Sequence, residues 1–161
     1  MYSIRHPNAD VLTSYLESIF DHNKFRELAT NTLLVSEKVI KDHNIDSIAF
    51  TGASGSAMAY LLSYHLRLPL LHVRKEKEKS HYPTFMNGSF EGWLGAKRYL
   101  IVDDIIATGT TVRRIMDVIK GEIYGADCVA MILYDKFLME EREVFKYDDR
   151  LIPVYYTRLE K

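Results

Sequence analysis

Short apolar runs that alternate with segments of helical periodicity are the feature that most constrains the fold of this chain. The apolar runs have the length and composition of buried strands, and they occupy residues 47–51, 70–73, 99–102, 129–134 and 151–156. Apolar residues at helical spacing fill 57–68 and 110–123. Because strands that alternate with helices form βαβ units, the sequence predicts an α/β domain with a mostly parallel sheet flanked by helices.

The regions outside this alternation contain further predicted helices, a run of charges and several turns. The N-terminal third has apolar residues at helical spacing up to Asn44, the predicted end of its second helix. Residues 74–81 form a run of charges, and the dipeptide Asn87-Gly88 predicts a hairpin turn between arms at 82–86 and 89–93. The turns at 52–56 and 107–111 both follow predicted strands, at the sheet edge where ligands of α/β proteins bind.

Length and charge narrow the classes of protein. A chain of 161 residues without repeats or linkers fits a single domain, residues 1–161, and its one cysteine, Cys128, lies in an apolar run as a buried thiol would. The balance of 21 basic and 22 acidic residues argues against a nucleic-acid binder. No apolar run approaches the roughly 18 residues that span a bilayer, and the N-terminus has no signal core. We therefore expect a cytoplasmic protein that binds no membrane.

The segment at 100–112 reads Leu-Ile-Val-Asp-Asp-Ile-Ile-Ala-Thr-Gly-Thr-Thr-Val. It combines a pair of carboxylates with a turn of small residues and threonines. Asp103 and Asp104 repel each other at a strand end, so a cation or a polyhydroxyl ligand is expected beside them. The small-residue turn that follows opens a helix, whose free amides and threonine hydroxyls can hold a phosphate. Gly109 lets the backbone approach such a ligand closely. The combination predicts a site for ribose 5-phosphate.

This combination resembles the 5-phosphoribosyl-1-pyrophosphate (PRPP) signature of type I phosphoribosyltransferases. A strand end with a helix cap explains an isolated Asp-Asp or Thr-Gly-Thr, because Asp and Thr are common caps, but it does not explain both together. The resemblance implies that Asp103 and Asp104 are catalytic, hold the ribose hydroxyls of PRPP and bind Mg²⁺ directly or through water. The residues that it implies for the 5-phosphate are Ala107, Thr108, Gly109, Thr110 and Thr111.

Two further segments lie where this family has its pyrophosphate site. The turn after the first strand is similar to the family's pyrophosphate loop, which implies that Ala53, Ser54 and Gly55 bind the diphosphate. Taken alone, this turn is equally compatible with a plain connection between strand and helix. Its spacing fits neither the Gly-x-Ser-x-Gly elbow of hydrolases nor a nucleotide P-loop.

The basic residues after the second strand resemble those that begin the family's flexible loop. Arg74 and Lys75 are expected to meet the pyrophosphate, and Lys79 and His81 resemble the Lys-x-His of orotate phosphoribosyltransferases, although Tyr82 stands where that family has glycine. Lys75 and Lys79 would be catalytic, because cations stabilise the charge that grows on a leaving pyrophosphate. A solvated run of charges is the alternative interpretation.

The resemblance covers roughly residues 46–135 and implies a Mg²⁺-dependent phosphoribosyltransferase that uses PRPP and a nucleobase, either a purine or an orotate-like pyrimidine. The alternative is a non-catalytic PRPP sensor that regulates nucleotide metabolism on the same fold. The N-terminal and C-terminal segments are expected to form the small hood that reads the base. Members that act on 6-oxopurines usually carry a carboxylate where this chain has Ala107, which disfavours hypoxanthine and guanine. The resemblance also implies a homodimer.

Aromatic side chains that could stack on a base are Phe85, Trp93, Tyr134 and Tyr155. With 11 tyrosines in the chain, ordinary packing is the favoured interpretation for any one of them.

Overall fold

A seven-stranded sheet lies at the centre of the fold in a computed structural model of the chain, which describes residues 17–76, 78, 88–134 and 143–159. The helices are α1 (Glu17–Phe20), α2 (His22–His43), α3 (Gly52–Leu66) and α4 (Thr110–Glu122). The strands are β1 (Ser47–Phe50), β2 (Leu70–Val73), β3 (Phe90–Gly92), β4 (Arg98–Asp103), β5 (Asp127–Tyr134), β6 (Val144–Tyr147) and β7 (Arg150–Thr157).

The strand order is β3-β2-β1-β4-β5-β7-β6. The five inner strands run parallel, and the edge strands β3 and β6 are antiparallel to their neighbours. This confirms the predicted α/β class with a mostly parallel sheet. Because β1 and β4 are adjacent and parallel, the two turns that follow them emerge side by side.

Two apolar cores cover the two faces of the sheet, because successive side chains of a strand point to opposite faces. In β4, Tyr99 and Ile101 belong to the core beneath α4, whereas Leu100 and Val102 belong to the core beneath α2 and α3. Each predicted strand corresponds to an observed one, and Cys128 is buried as expected. The prediction that the terminal segments form a hood stays a prediction.

None of the helices in the described part of the chain is both long enough and apolar enough to cross a membrane.

Asn44 ends α2 as the sequence predicts. Its backbone is left-handed, with φ of 50°, and its N–H group donates to the carbonyls of Ile40 and Lys41. Asparagine tolerates this conformation better than most residues do, which is why it marks the ends of helices.

The predicted start of α3 at residue 57 was wrong, because the small residues taken for a turn form its first helical turn. Gly52, with φ of 62°, lets the chain enter the helix directly after β1. A Cβ atom at Gly55 would lie 3.1 Å from the carbonyl oxygen of Val102 and 3.2 Å from Cβ of Phe50. The small residues therefore allow α3 to pack closely on the sheet.

The position of one edge strand was predicted and that of the other was missed. β3 lies within residues 89–93, the expected second arm of a hairpin, and Phe90 pairs with Val73 on β2, whereas the expected first arm at 82–86 lies outside the described residues. The sequence analysis missed β6, which pairs with β7 and buries Phe145 and Tyr147. Four residues of alternating burial are too short a pattern to stand out in a sequence.

Asp46 fastens the start of β1 to the start of β4, far from the carboxyl ends of these strands. Its Oδ2 atom accepts from the backbone N–H groups of Lys97 (3.0 Å) and Arg98 (3.2 Å), and its Oδ1 atom accepts from the Ser47 hydroxyl (2.8 Å). We predict that Asp46→Ala lowers the free energy of unfolding in urea by about 1–3 kcal/mol, because it removes a charged acceptor of two backbone N–H groups and of the buried Ser47 hydroxyl.

The matched control is Asp42→Ala, which removes an exposed aspartate of α2. Its effect on the free energy of unfolding should stay within about 0.5 kcal/mol. Equal effects of the two substitutions would contradict the anchoring role of Asp46.

Candidate functional site

A cleft of about 240 Å³ opens at the carboxyl ends of β1 and β4. The segments that line it are the end of β1 with the first turn of α3, a lysine two residues beyond β2, and the turn after β4 with the start of α4. The lining residues are Thr51, Ser54, Lys75, Asp103, Asp104, Ile105, Ile106, Ala107, Thr108, Gly109, Thr110, Thr111 and Val112. The cleft thus lies at the edge where the sequence predicted a ligand.

Two helices begin in this cleft without a capping side chain. The N-cap residues are Thr51 for α3 and Gly109 for α4, and neither makes a side-chain capping hydrogen bond. By contrast, α2 begins away from the cleft at Asp21, whose carboxylate accepts from the N–H groups of Asn23 and Lys24. Free N–H groups and the positive end of the helix dipole favour anions, so the cleft offers two separate places for a phosphate.

Asp103 holds a carboxylate that is buried to 95% at the end of β4 (5% exposed). Its Oδ1 atom accepts from the Ser54 hydroxyl and from the backbone N–H of Asp104, each at 3.0 Å. Among the described residues, none donates a hydrogen bond to its Oδ2 atom. Burial, and next the adjacent charge of Asp104, raise the pKa of Asp103 to about 7. The free carboxylate is therefore destabilised until a cation or a hydroxyl donor meets Oδ2.

The phosphate-binding turn predicted from the sequence rests on β6. Gly109 has φ of 82°, and a Cβ atom there would lie 2.6 Å from the ring of Phe145. The guanidinium of Arg113 lies over the Phe145 ring, 5.0 Å from its centre. Glycine is thus required at 109 both by the backbone and by the neighbouring ring. The sequence analysis missed Phe145, because it lies on β6, a strand that was not predicted, and only the fold brings it next to Gly109.

The hydroxyls of the same turn face one another. The Oγ1 atoms of Thr108 and Thr110 lie 2.9 Å apart, and the N–H of Thr110 donates to Oγ1 of Thr108 over 3.3 Å. Both threonines are exposed in the cleft. The N–H hydrogen bond of 3.3 Å is long, and both groups could exchange these internal bonds for the oxygens of a phosphate.

Lys75 brings its ammonium group to the start of α3. A Cβ atom at Gly52 would lie 2.8 Å from Cε and 3.0 Å from Nζ of Lys75, so the ammonium group lies directly beside the first residue of α3. The backbone N–H of Lys75 donates to Glu78, which steadies the turn after β2. A cation and a helix N-terminus therefore lie together where the sequence predicted the diphosphate.

Three of the predicted pyrophosphate ligands do not line the cleft. Ala53 is exposed in the first turn of α3, and Gly55 packs against the sheet. The guanidinium of Arg74 pairs with Glu91 on β3, and its Nε atom is buried without a hydrogen-bond partner. Arg74 thus ties the edge strand β3 to the end of β2 in this structure.

The two other predicted loop residues, Lys79 and His81, lie outside the described residues.

The aromatic candidates for base stacking do not line the cleft in the described part of the chain. Tyr134 is fully buried and its hydroxyl donates to the backbone carbonyl of Ser54, which agrees with the favoured interpretation of packing. The Tyr155 hydroxyl lies 2.8 Å from Nε2 of His43, and Trp93 is exposed after β3. Phe85 lies outside the described residues.

Comparisons with known proteins agree with this architecture. The family model of the phosphoribosyl transferase domain matches residues 21–137. The chain is 24% identical to an orotate phosphoribosyltransferase of Sulfurisphaera tokodaii, over 84% of this chain and 67% of that protein. It is 31% identical to a hypoxanthine/guanine phosphoribosyltransferase of Methanotorris igneus, over 75% of this chain and 70% of that protein.

A solved structure of orotate phosphoribosyltransferase from Francisella tularensis superposes with a TM-score of 0.60 at 19% identity, covering 87% of this chain and 68% of that one. At this identity the match concerns the fold. The family match covers most of the chain and includes every residue that lines the cleft. The chain therefore belongs to the phosphoribosyl transferase domain family, as its sequence motif predicted.

Proposed function

We propose that this protein transfers ribose 5-phosphate from PRPP to a nucleobase and releases pyrophosphate, with Mg²⁺ as its cofactor. The observation that carries the proposal is the convergence in one cleft of a strand-end carboxylate pair with two uncapped helix N-termini. PRPP has the complementary groups, since a diol lies between a phosphate at one end and a diphosphate at the other.

Each part of the cleft has a role in this proposal. The start of α4, with Thr110 and Thr111, binds the 5-phosphate through backbone N–H groups and hydroxyls. Asp103 and Asp104 accept hydrogen bonds from the ribose hydroxyls. The start of α3 and the ammonium of Lys75 bind the diphosphate. The side chains thereby orient C1 of the ribose toward an incoming base.

Mg²⁺ fits the donor set of the cleft. Among the described residues, no group of three or more His, Cys, Asp or Glu side chains could hold a metal by itself. Mg²⁺ is commonly held by one or two carboxylates together with substrate phosphates and water, and Asp103 and Asp104 can supply the carboxylates. When bound, the ion would neutralise the charge that develops on the diphosphate.

The transfer breaks the bond between C1 and the diphosphate oxygen and forms a bond from C1 to a ring nitrogen of the base, which loses its proton. Negative charge grows on the leaving group, and Lys75 stabilises it. We propose a purine or an orotate-like pyrimidine as acceptor, since the relatives are named for orotate, hypoxanthine/guanine and adenine. Ala107 favours a base other than a 6-oxopurine.

The alternative of a PRPP-sensing regulator gains no support from the relatives, whose names are those of enzymes. We further propose that the protein acts in the cytoplasm, as expected for an enzyme of nucleotide metabolism.

The decisive assay measures pyrophosphate release from PRPP and Mg²⁺ with adenine, hypoxanthine, guanine, xanthine, uracil and orotate in turn. We expect release with at least one base, and none from the Asp103→Asn/Asp104→Asn double variant. Binding of PRPP without release in the presence of any base would favour the regulator, and failure to bind PRPP would overturn the proposal.

Asp103→Asn should stabilise the free protein at alkaline pH. The raised pKa means that the stability contributed by this carboxyl is present below the unfolded pKa of 3.8 and is lost as pH rises through about 7. An uncharged amide removes that loss, so the melting temperature should rise at pH 8 by several degrees, at roughly 2–4 °C per kcal/mol, and change little at pH 4.

The same substitution should weaken binding of PRPP at least about tenfold, because it removes a charged acceptor. Thermal denaturation and titration calorimetry measure the two effects. Asp149→Asn serves as the control, because Asp149 is exposed between β6 and β7 and does not line the cleft. It should change neither the melting temperature nor the affinity for PRPP. A variant that melts lower at pH 8, or binds PRPP as tightly as the parent, would contradict the assignment of Asp103.

We also propose that the protein is a homodimer, supported by exposed aromatic side chains on α3. Tyr60 and Tyr64 lie one helical turn apart and are 60% and 81% exposed. Light scattering should give about twice the chain mass of 18.7 kDa at micromolar concentration. Tyr60→Ala with Tyr64→Ala should shift it toward the chain mass, whereas Tyr124→Ala, at a fully exposed tyrosine after α4, should not. A monomeric parent protein would refute the proposal.

A further inference from the structure

Two consecutive hydrogen bonds connect the end of β5 with the buried carboxylate of the cleft. Tyr134 is the last residue of β5, and its hydroxyl donates to the backbone carbonyl of Ser54 in the first turn of α3. The Ser54 hydroxyl donates in turn to Oδ1 of Asp103 at 3.0 Å. Tyr134 lies 80 residues from Ser54, which lies 49 residues from Asp103, so the contacts join three separate elements of the fold.

The Tyr134 hydroxyl donates to the Ser54 carbonyl, and the ring lies in an apolar core. The side chain belongs to the core beneath α2 and α3, where a phenylalanine would fill nearly the same space. Burying a hydroxyl is unfavourable unless it forms a hydrogen bond, and this one binds the turn that carries Ser54. The tyrosine therefore restrains the height and rotation of this turn above the sheet.

The consequence of this restraint appears at Asp103. Its Oδ1 atom accepts from Ser54 and from the N–H of Asp104, which fixes the rotation of the carboxylate about its χ2 bond. The other oxygen, Oδ2, receives no hydrogen bond from the described residues and belongs to a side chain that lines the cleft. The direction in which Oδ2 points thus depends on where Ser54 lies.

We propose that Tyr134 is a positioning residue of the cleft, which acts on PRPP through Ser54 and Asp103 without touching the ligand. The proposal rests on the function proposed above. The Tyr134 hydroxyl holds the Ser54 turn so that the Ser54–Asp103 hydrogen bond forms. Asp103 thereby keeps its Oδ2 atom available to the ribose hydroxyls. Preorganised acceptors bind more tightly than those that a ligand must first rotate into place.

A double-mutant cycle of Tyr134→Phe and Ser54→Ala tests the proposal, with binding of PRPP in Mg²⁺ measured by calorimetry. Tyr134→Phe keeps the ring and should weaken binding about fivefold to tenfold. Ser54→Ala should have a similar or larger effect, and the double variant should bind no more weakly than Ser54→Ala alone. Residues that act through one another show such non-additivity, whereas a general loss of stability would multiply the effects.

The matched control is Tyr147→Phe, which removes another buried tyrosine hydroxyl. Tyr147 is 4% exposed, and its hydroxyl donates to Asp117 at 2.6 Å outside the cleft. Tyr147→Phe should lower the melting temperature to a similar extent and leave affinity for PRPP unchanged. Unchanged affinity in Tyr134→Phe, or multiplied effects in the double variant, would overturn the positioning role.

A second measurement needs no PRPP and so separates this proposal from the proposed function. The ¹³C NMR signal of the Asp103 carboxyl, assigned with Asp103→Asn, reports its hydrogen bonding in the free protein. Tyr134→Phe should shift this signal and Tyr147→Phe should not. If the parent failed to bind PRPP, the proposed function would fail while a shifted signal would still support the connection. An unmoved signal in Tyr134→Phe would refute the connection in either case.

Discussion

The buried carboxylate of Asp103 is the constraint on which the rest of the cleft depends. A charge at this depth, beside Asp104, is unfavourable in the free protein, as its raised pKa indicates. The surrounding structure compensates only in part, through Ser54, one backbone N–H group and two helix N-termini. The remaining unfavourable free energy of the charged carboxylate would be removed by a ligand that supplies hydroxyl donors or a cation.

The sheet topology brings the compensating groups together. Parallel pairing of β1 with β4 places the starts of α3 and α4 at one edge, and β5, on the other side of β4, ends at Tyr134. The antiparallel edge strand β6 contributes Phe145, whose ring leaves room only for a glycine at position 109. The cleft therefore depends on strands distant in sequence as well as on the two turns that line it.

Local patterns explain what could be predicted from the sequence. The strands at the centre of the sheet, the end of α2 and the acid pair before Ala107 are local patterns in which neighbouring residues carry the information. The start of α3 could not be predicted, because glycine and serine favour turns and also permit close packing of a helix, as at Gly55. The Arg74–Glu91 pair and the Tyr134–Ser54 bond join residues far apart in sequence, which no local pattern encodes.

We propose that two helix N-termini bind the two ends of one ligand while the acids bind its middle. Amide NMR spectra recorded during titration with PRPP and Mg²⁺ test it most directly, because backbone N–H groups report bound phosphate. We expect the largest shifts in two separate groups, at residues 52–56 in the first turn of α3 and at 109–112 in the first turn of α4. Shifts confined to one of these turns, or centred elsewhere in the chain, would contradict this binding mode.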